Sequence, residues 1–254
     1  MRAGTLDALR AAVARMERRG AGPGRGVLPF GYPALDAALP GGGLALGALH
    51  ELAGIGPDVE HGAAAALFAA GVLARLSGPV LWVLERRDLF APALAGAGLL
   101  PARVIYVEAG RPVAVLLAME EGLRHPGIAG VVGEVSGRLS LTASRRLQLA
   151  AEASGALAVA LRRSRRHDDP ALAEPSAAAT RWRVGALPSA PPLPHAPDVP
   201  GLGRARWRLD LVRCCGGEPG TWLVEACDAQ GRLGVAAELG HRQAAPGERR
   251  RASL

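Results

Sequence analysis

Four short, almost wholly apolar runs, separated by stretches of helical spacing, leave this chain few folds to choose from. The runs lie at residues 80–84, 104–107, 130–135 and 156–161. The stretches at 62–76, 91–98, 113–124 and 142–154 carry apolar residues at helical intervals. A strand that is apolar on both faces must be buried on both faces. Alternating such strands with helices gives a parallel sheet between helical layers. The expected fold class is therefore α/β, with a mainly parallel sheet over about residues 27–187.

The 254 residues leave room for additions at both ends of that core. Residues 5–19 predict a helix with Leu6, Leu9, Val13 and Met16 on one face. That stripe suits packing on its own domain or on a neighbour. A Gly/Pro-rich linker completes the segment 1–26. Beyond the core, residues 188–203 form a proline-rich connector. Residues 204–243 predict an antiparallel hairpin, with Trp207, Leu209 and Leu211 alternating against Arg206, Arg208 and Asp210 and a turn at 216–220. The basic tail, 244–254, is expected to be disordered.

Charge narrows the chemistry. The formal net charge is +7 and all 30 residues counted as Lys or Arg are arginine. Lysine and asparagine are both absent, as a GC-rich coding bias would leave them. No mechanism here can use a lysine. The arginine excess permits nucleic-acid or acidic-protein partners without selecting one. The three cysteines, Cys214, Cys215 and Cys227, form neither a disulfide framework nor a zinc spacing. They predict a reducing, cytoplasmic setting, and no metal is expected. No secretory signal is visible, and the most apolar stretch, 63–76, is interrupted by Gly71 and Arg75, so no membrane span is expected.

The segment 28–51 carries Gly31, Leu35, Asp36, Leu39, Gly42, Gly43, Leu44 and Gly47 at fixed offsets. It resembles the segment that precedes the first core strand and P-loop of RecA-type ATPases. That resemblance implies a RecA-like, P-loop-type core. A P-loop wraps phosphates with backbone N–H groups and neutralises them with a lysine. Here Gly54, Gly56 and Gly62 remain, but Ala63 and Ala64 stand where Lys and Ser/Thr belong. The loop reads as longer than usual, with Asp58 and Glu60 where a phosphate would sit. Like charges repel there, so no ATP or other cofactor is expected. Glu134 stands near the metal-binding acid of such folds and Glu85 near their catalytic glutamate. Glu134 equally fits a solvated strand end; Glu85 fits a surface role better, and Arg86 could occupy its place instead.

The whole chain, from the N-terminal helix to about residue 240, is similar to the ImuA family of bacterial mutagenesis operons. The similarity includes Leu28-Pro-Phe-Gly31, residues 39–44, His50-Glu51, Thr180-Arg-Trp-Arg-Val184, residues 207–211, Arg213 and Trp222-Leu-Val-Glu225. It implies a non-catalytic accessory role in SOS-induced translesion DNA synthesis. The implied partners are an ImuB-type polymerase-like protein and an error-prone replicative-type polymerase, with RecA and single-stranded DNA as further candidates. The alternatives are a degenerate DNA-dependent ATPase that uses arginines on phosphates, and an SOS regulator of cell division.

Arg162, Arg163, Arg165 and Arg166 follow the 156–161 strand, and the loop there faces DNA in RecA-like folds. They read as DNA contacts or as a solvated charge run, with His167, Asp168 and Asp169 diluting the field. Arg138, Arg145 and Arg146 could extend that surface. Arg145 and Arg146 equally suit the exposed face of a helix. The C-terminal segment is foreign to a RecA core, which makes Trp207, Arg213, Trp222, Arg249, Arg250 and Arg251 candidates for partner docking. Tryptophans on alternating strands also suit packing. His50-Glu51 lacks the second histidine of a zinc-protease helix, because residue 54 is glycine. No nucleophile elbow occurs.

Overall fold

The computed structural model describes residues 26–236, apart from 190, 194, 197, 200 and 202. The N-terminal helix expected at 5–19 and the tail with Arg249, Arg250 and Arg251 lie outside the described residues. The chain enters through a small ribbon, β1 (Val27–Leu28) paired antiparallel with β2 (Leu44–Ala45), around the short helix α1 (Pro33–Asp36). The glycine-rich motif builds this ribbon. Gly31 has φ +74°, and the Asp36 carboxylate accepts the backbone N–H of Phe30 (2.6 Å) and of Gly31 (2.9 Å). At Gly43 a Cβ would lie 2.6 Å from the Leu28 carbonyl carbon and oxygen. Backbone meets backbone at that point, so only glycine fits.

The core then runs β3 (Leu49–Gly54), α2 (Asp58–Ala74), β4 (Val80–Leu84), α3 (Ala91–Gly96), β5 (Val104–Glu108), α4 (Pro112–Arg124), β6 (Gly130–Ser136), α5 (Leu141–Ser154), β7 (Leu157–Arg163) and β8 (Thr180–Leu187). Three strands follow: β9 (Arg206–Cys214), β10 (Gly220–Glu225) and β11 (Gly234–Val235). All from β3 onward join one nine-stranded sheet, in the order β11-β10-β9-β8-β3-β7-β6-β4-β5. The six strands from β8 to β5 are parallel, and β9, β10 and β11 extend the sheet antiparallel. The expected hairpin therefore exists, but as a continuation of the core sheet through β8 and β9. Among the described residues, no helix is long and apolar enough to cross a membrane.

Two apolar layers flank the sheet. On one face α2 and α3 pack with the β1/β2 ribbon against Leu52, Trp82, Val132, Leu161, Trp182 and Val184. On the other, Val115, Met119 and Leu123 of α4 and Leu147 and Ala151 of α5 pack against Val83, Val131, Val135 and Ala158. Helix α2 is buried over most of its length, which suits its run of alanines packed against the sheet. An aromatic cluster joins the ribbon and α2 to the C-terminal strands. Phe30 stacks on Phe68 at 5.7 Å; Phe68 meets Trp182 at 6.0 Å and Trp207 edge-on at 6.3 Å; Trp182 meets Trp222 at 6.1 Å.

This packing corrects the docking assignment of Trp207 and places Trp222 partly in the core. Trp207 is 2% exposed and Trp222 is half-buried against Trp182, so the strand alternation that marked them turns them into the core. Arg213 lies at the surface but is engaged, donating to the backbone carbonyls of Ser176 (3.1 Å) and Ala178 (3.0 Å). Substituting Trp207→Ala is expected to cost about 3–5 kcal/mol of folding stability, the loss typical of a buried aromatic. Urea denaturation followed by circular dichroism checks this; a change under about 1 kcal/mol would show that Trp207 is not a core residue.

Candidate functional site: the carboxyl ends of the parallel strands

In an open parallel sheet, ligands bind beyond the carboxyl ends of the strands. A cleft of about 720 Å³ lies there, lined by Asp58, Glu85, Arg86, Asp88, Glu134, Ser136, Arg163, Arg165 and Arg166 among others. The sheet order brings the sequence candidates together. β3 and β6 are separated by β7, and β4 lies beyond β6. Glu134 and Glu85 thus stand at neighbouring strand ends facing the start of α2.

The connection from β3 to α2 is not the long loop expected. Helix α2 begins at Asp58, with only three residues between it and Gly54. A P-loop needs four residues between its glycines before its lysine opens the helix. Gly62, Ala63 and Ala64 lie more than a turn inside α2, so they do not border a phosphate site as expected; Gly62 is buried. Three amides at the helix start are engaged by protein. Asp58 N–H donates to Ser164 O (2.8 Å), and the N–H groups of Glu60 and His61 both reach Pro57 O (3.0 and 3.1 Å). Pro57 has no N–H to give.

Two of the four arginines expected in the next loop, Arg162 and Arg163, belong to β7 instead. The strand continues to Arg163, pairing Arg162 with Ala53 and Arg163 with Ser136. Successive side chains on a strand point to opposite faces. Arg162 and Arg163 therefore part company: Arg162 is buried, and Arg163 is partly exposed in the cleft wall, where carboxylates engage it.

Arg162 goes beneath the sheet face opposite α2 and is 2% exposed. It pairs with the equally buried Glu51 at 3.0 Å. Glu51 also accepts from the Ser176 hydroxyl and lies 3.4 Å from Arg181. Around this pair the arginines hold the segment after β7 by its backbone. Arg162 donates to Gly137 O and Ala171 O, Arg183 to Leu172 O, and Arg181 to Ala173 O and Glu174 O. With the Arg213 bonds, six carbonyls between Ala171 and Ala178 are satisfied by guanidiniums. Burial lowers the pKa of Arg162 and of Arg183, with Glu51 opposing the shift in both. A guanidinium nonetheless stays charged.

Arg163 turns to the α2 face. Its Nε lies 3.0 Å from Asp58, its Nη2 2.9 Å from Asp88 and its Nη1 3.5 Å from Glu134. Burial pushes the Asp58 and Glu134 carboxyls upward, and Arg163 opposes the shift in both. Glu134 further accepts from the Trp82 indole at 3.1 Å. Glu85 accepts from both the backbone N–H and the hydroxyl of Ser136, tying the ends of β4 and β6. Arg165 and Arg166 are exposed on the cleft rim, with Arg86 opposite. Arg138 pairs with Glu174 at 2.6 Å, and Arg146 with Glu120. Among the described residues, no group of three or more His, Cys, Asp or Glu could hold a metal ion.

Asp88, Arg181 and Arg183 escaped the sequence reading as members of these sites. The strand period would have split Arg162 from Arg163 had the strand been carried two residues further. Glu51, a lone carboxylate in an apolar strand, was the signal that a buried cation must answer it. On the α2 face of the same strand, His50 joins a neutral chain. Trp182 Nε1–H donates to the Thr180 hydroxyl (2.8 Å), which is 2.7 Å from His50 Nδ1, and His50 Nε2 is 2.9 Å from Ala45 O. Burial lowers the His50 pKa to about 4.

Two outcomes follow from these buried groups. Glu51→Ala leaves Arg162 without its counter-charge and is expected to lose about 3–5 kcal/mol in urea denaturation; a loss below about 1 kcal/mol would contradict the burial of the pair. His50 stays neutral in the fold while the unfolded chain takes up a proton near its ordinary pKa. Its depressed folded pKa therefore contributes stability above about pH 6.5 that is lost as pH falls toward about 4, up to about 3 kcal/mol. His50→Phe is expected to lose less stability than the wild type between those limits; parallel pH profiles would refute the assignment.

No protein-family model matches the chain. Protein ImuA of Caulobacter vibrioides, in two strains, is 44% identical over 211 residues, covering 80% of this chain and 84% of the relative. The crystal structure of the RadB recombinase superposes with a TM-score of 0.55 at 16% identity, covering 83% of this chain and 100% of that one. That likeness shows a RecA-like fold. The identity to ImuA over most of both chains shows the family, and this chain belongs to the ImuA family.

Proposed function

We propose that the chain is a non-catalytic accessory protein of SOS-induced translesion DNA synthesis, working in the cytoplasm with an ImuB-type polymerase-like protein and an error-prone replicative-type polymerase. The observation that carries the non-catalytic reading is the filled helix start of α2. Asp58 occupies it, its own amide is bonded to Ser164 O, and the nearest cation is Arg163, held by three carboxylates. The cleft walls carry five acids, Asp58, Glu85, Asp88, Glu134 and Asp169, against four arginines. A triphosphate would meet carboxylates where it needs cations.

DNA contact on this reading falls to the residues that remain at the surface. These are Arg165 and Arg166 on the loop after β7, with Arg86 across the cleft, rather than Arg162 or Arg163. A phosphodiester chain following the carboxyl edge of the sheet would meet all three. RecA remains a candidate partner through the shared fold.

The test is nucleotide and single-stranded DNA binding by the purified full chain across a salt series. The expected result is no ATP binding and DNA affinity that falls as salt rises. The double variant Arg165→Ala/Arg166→Ala is expected to flatten the slope of log affinity against log salt by about 0.7 per lost phosphate contact. DNA-stimulated ATP hydrolysis that disappears in Glu134→Ala would replace the accessory reading with the ATPase one. Capture of a division protein and not of the ImuB-type partner would favour the cell-division reading.

A further inference from the structure

Three carboxylates from three separate elements converge on one guanidinium, and each takes a different nitrogen. Asp58 opens α2, Asp88 follows β4, and Glu134 lies in β6. Arg163 itself ends β7. β4, β6 and β7 are already neighbours in the sheet, so what the ion cluster adds is a tie from their carboxyl ends to the start of α2 and to the segment after β4. Two further ties run between the same elements: Asp58 N–H to Ser164 O, and Glu85 to Ser136. Glu134 is 1% exposed, so without the cation its charge would be buried beside two other carboxylates.

We propose that Arg163 is a built-in cation that does within the chain what a bound ligand would do at this site, holding the start of α2 and the ends of β4, β6 and β7 in one fixed arrangement. It is a positioning residue. The segment it fixes begins at Ser164 and carries Arg165 and Arg166, so the rim presented to a partner or to DNA is set without any ligand. This rests on the reading of the cleft as free of nucleotide.

The geometry makes the effect of removing Arg163 specific. Three carboxylates would be left facing a guanidinium-shaped gap. A small guanidinium ion from solution matches that gap in charge and in donor directions, whereas a monovalent metal ion supplies no directed donors. A residue that merely packed would not be replaced by such an ion.

The test is amide hydrogen exchange on the full chain. Arg163→Ala is expected to speed exchange by roughly tenfold or more, in concert, at 56–60, 85–90 and 164–168, while central β3 and β7 amides keep their protection. Millimolar methylguanidinium is expected to restore protection, and sodium chloride at equal ionic strength is not. A change confined to residues next to 163, or no rescue, would overturn the proposal. Should Arg163→Ala not fold, Asp88→Asn carries the test, because Asp88 lies at the surface. The same three segments are then expected to loosen by a smaller factor, and unchanged exchange at 56–60 would overturn it. ATP added to the wild type separates the underlying reading: slowed exchange at 54–62 would sink the nucleotide-free cleft, whatever Arg163→Ala does.

Discussion

A guanidinium keeps its proton at any pH a folded protein meets, so an arginine drawn into a sheet must be answered by acceptors fixed in place. Strand β7 ends in two such residues, and the period of the strand sends them to opposite faces. Arg162 is answered by Glu51 and backbone carbonyls beneath the sheet. Arg163 is answered by Asp58, Asp88 and Glu134 above it. The two clusters are back to back at the carboxyl edge. One fixes the segment up to β8, and the other fixes the start of α2 and the ends of β4 and β6. The edge where a RecA-like fold ordinarily works is thus occupied by the protein's own charges.

The C-terminal strands are bound to this arrangement from the other side. Arg213 of β9 donates to carbonyls in the same segment that Arg162, Arg181 and Arg183 hold. Trp207 and Trp222 place β9 and β10 against Phe68 and Trp182. Phe68 belongs to the helix whose first residue is Asp58. A strain at the edge cluster therefore reaches the C-terminal strands through two routes, one of hydrogen bonds and one of packed rings. Close-packed rings transmit displacement because there is no free volume to absorb it.

The fold was legible because its strands are buried on both faces and their composition says so. The motif around Asp36 was legible because two of its demands, a left-handed Gly31 and a backbone contact at Gly43, admit almost no substitution. The site was less so. Asp58 and Glu134 were found because position in the fold marks them. The arginines were misplaced by a strand drawn two residues too short, and two residues on a strand decide which face a charge occupies. Asp88, Arg181 and Arg183 enter through contacts between elements far apart in sequence, which no local pattern carries. The tryptophans illustrate the reverse case. Their alternation was visible, but whether the apolar face meets a partner or its own core depends on β9 pairing with β8.

A ligand shifts an equilibrium between conformations only by its differential affinity for them. RecA-type switches obtain that difference from a nucleotide that comes and goes. Arg163 is covalently part of the chain, so it is present in every state and at unit occupancy, and the carboxylates it answers are equally permanent. On the proposed non-catalytic reading, a fold held in this way has no nucleotide with which to time its binding of partners. Its control must then lie in how much of it there is and in what it meets, because mass action is the remaining lever on an interface whose geometry is fixed. On this reading, a helix start without the phosphate lysine and an arginine held by three carboxylates serve one end: the site acts as a brace.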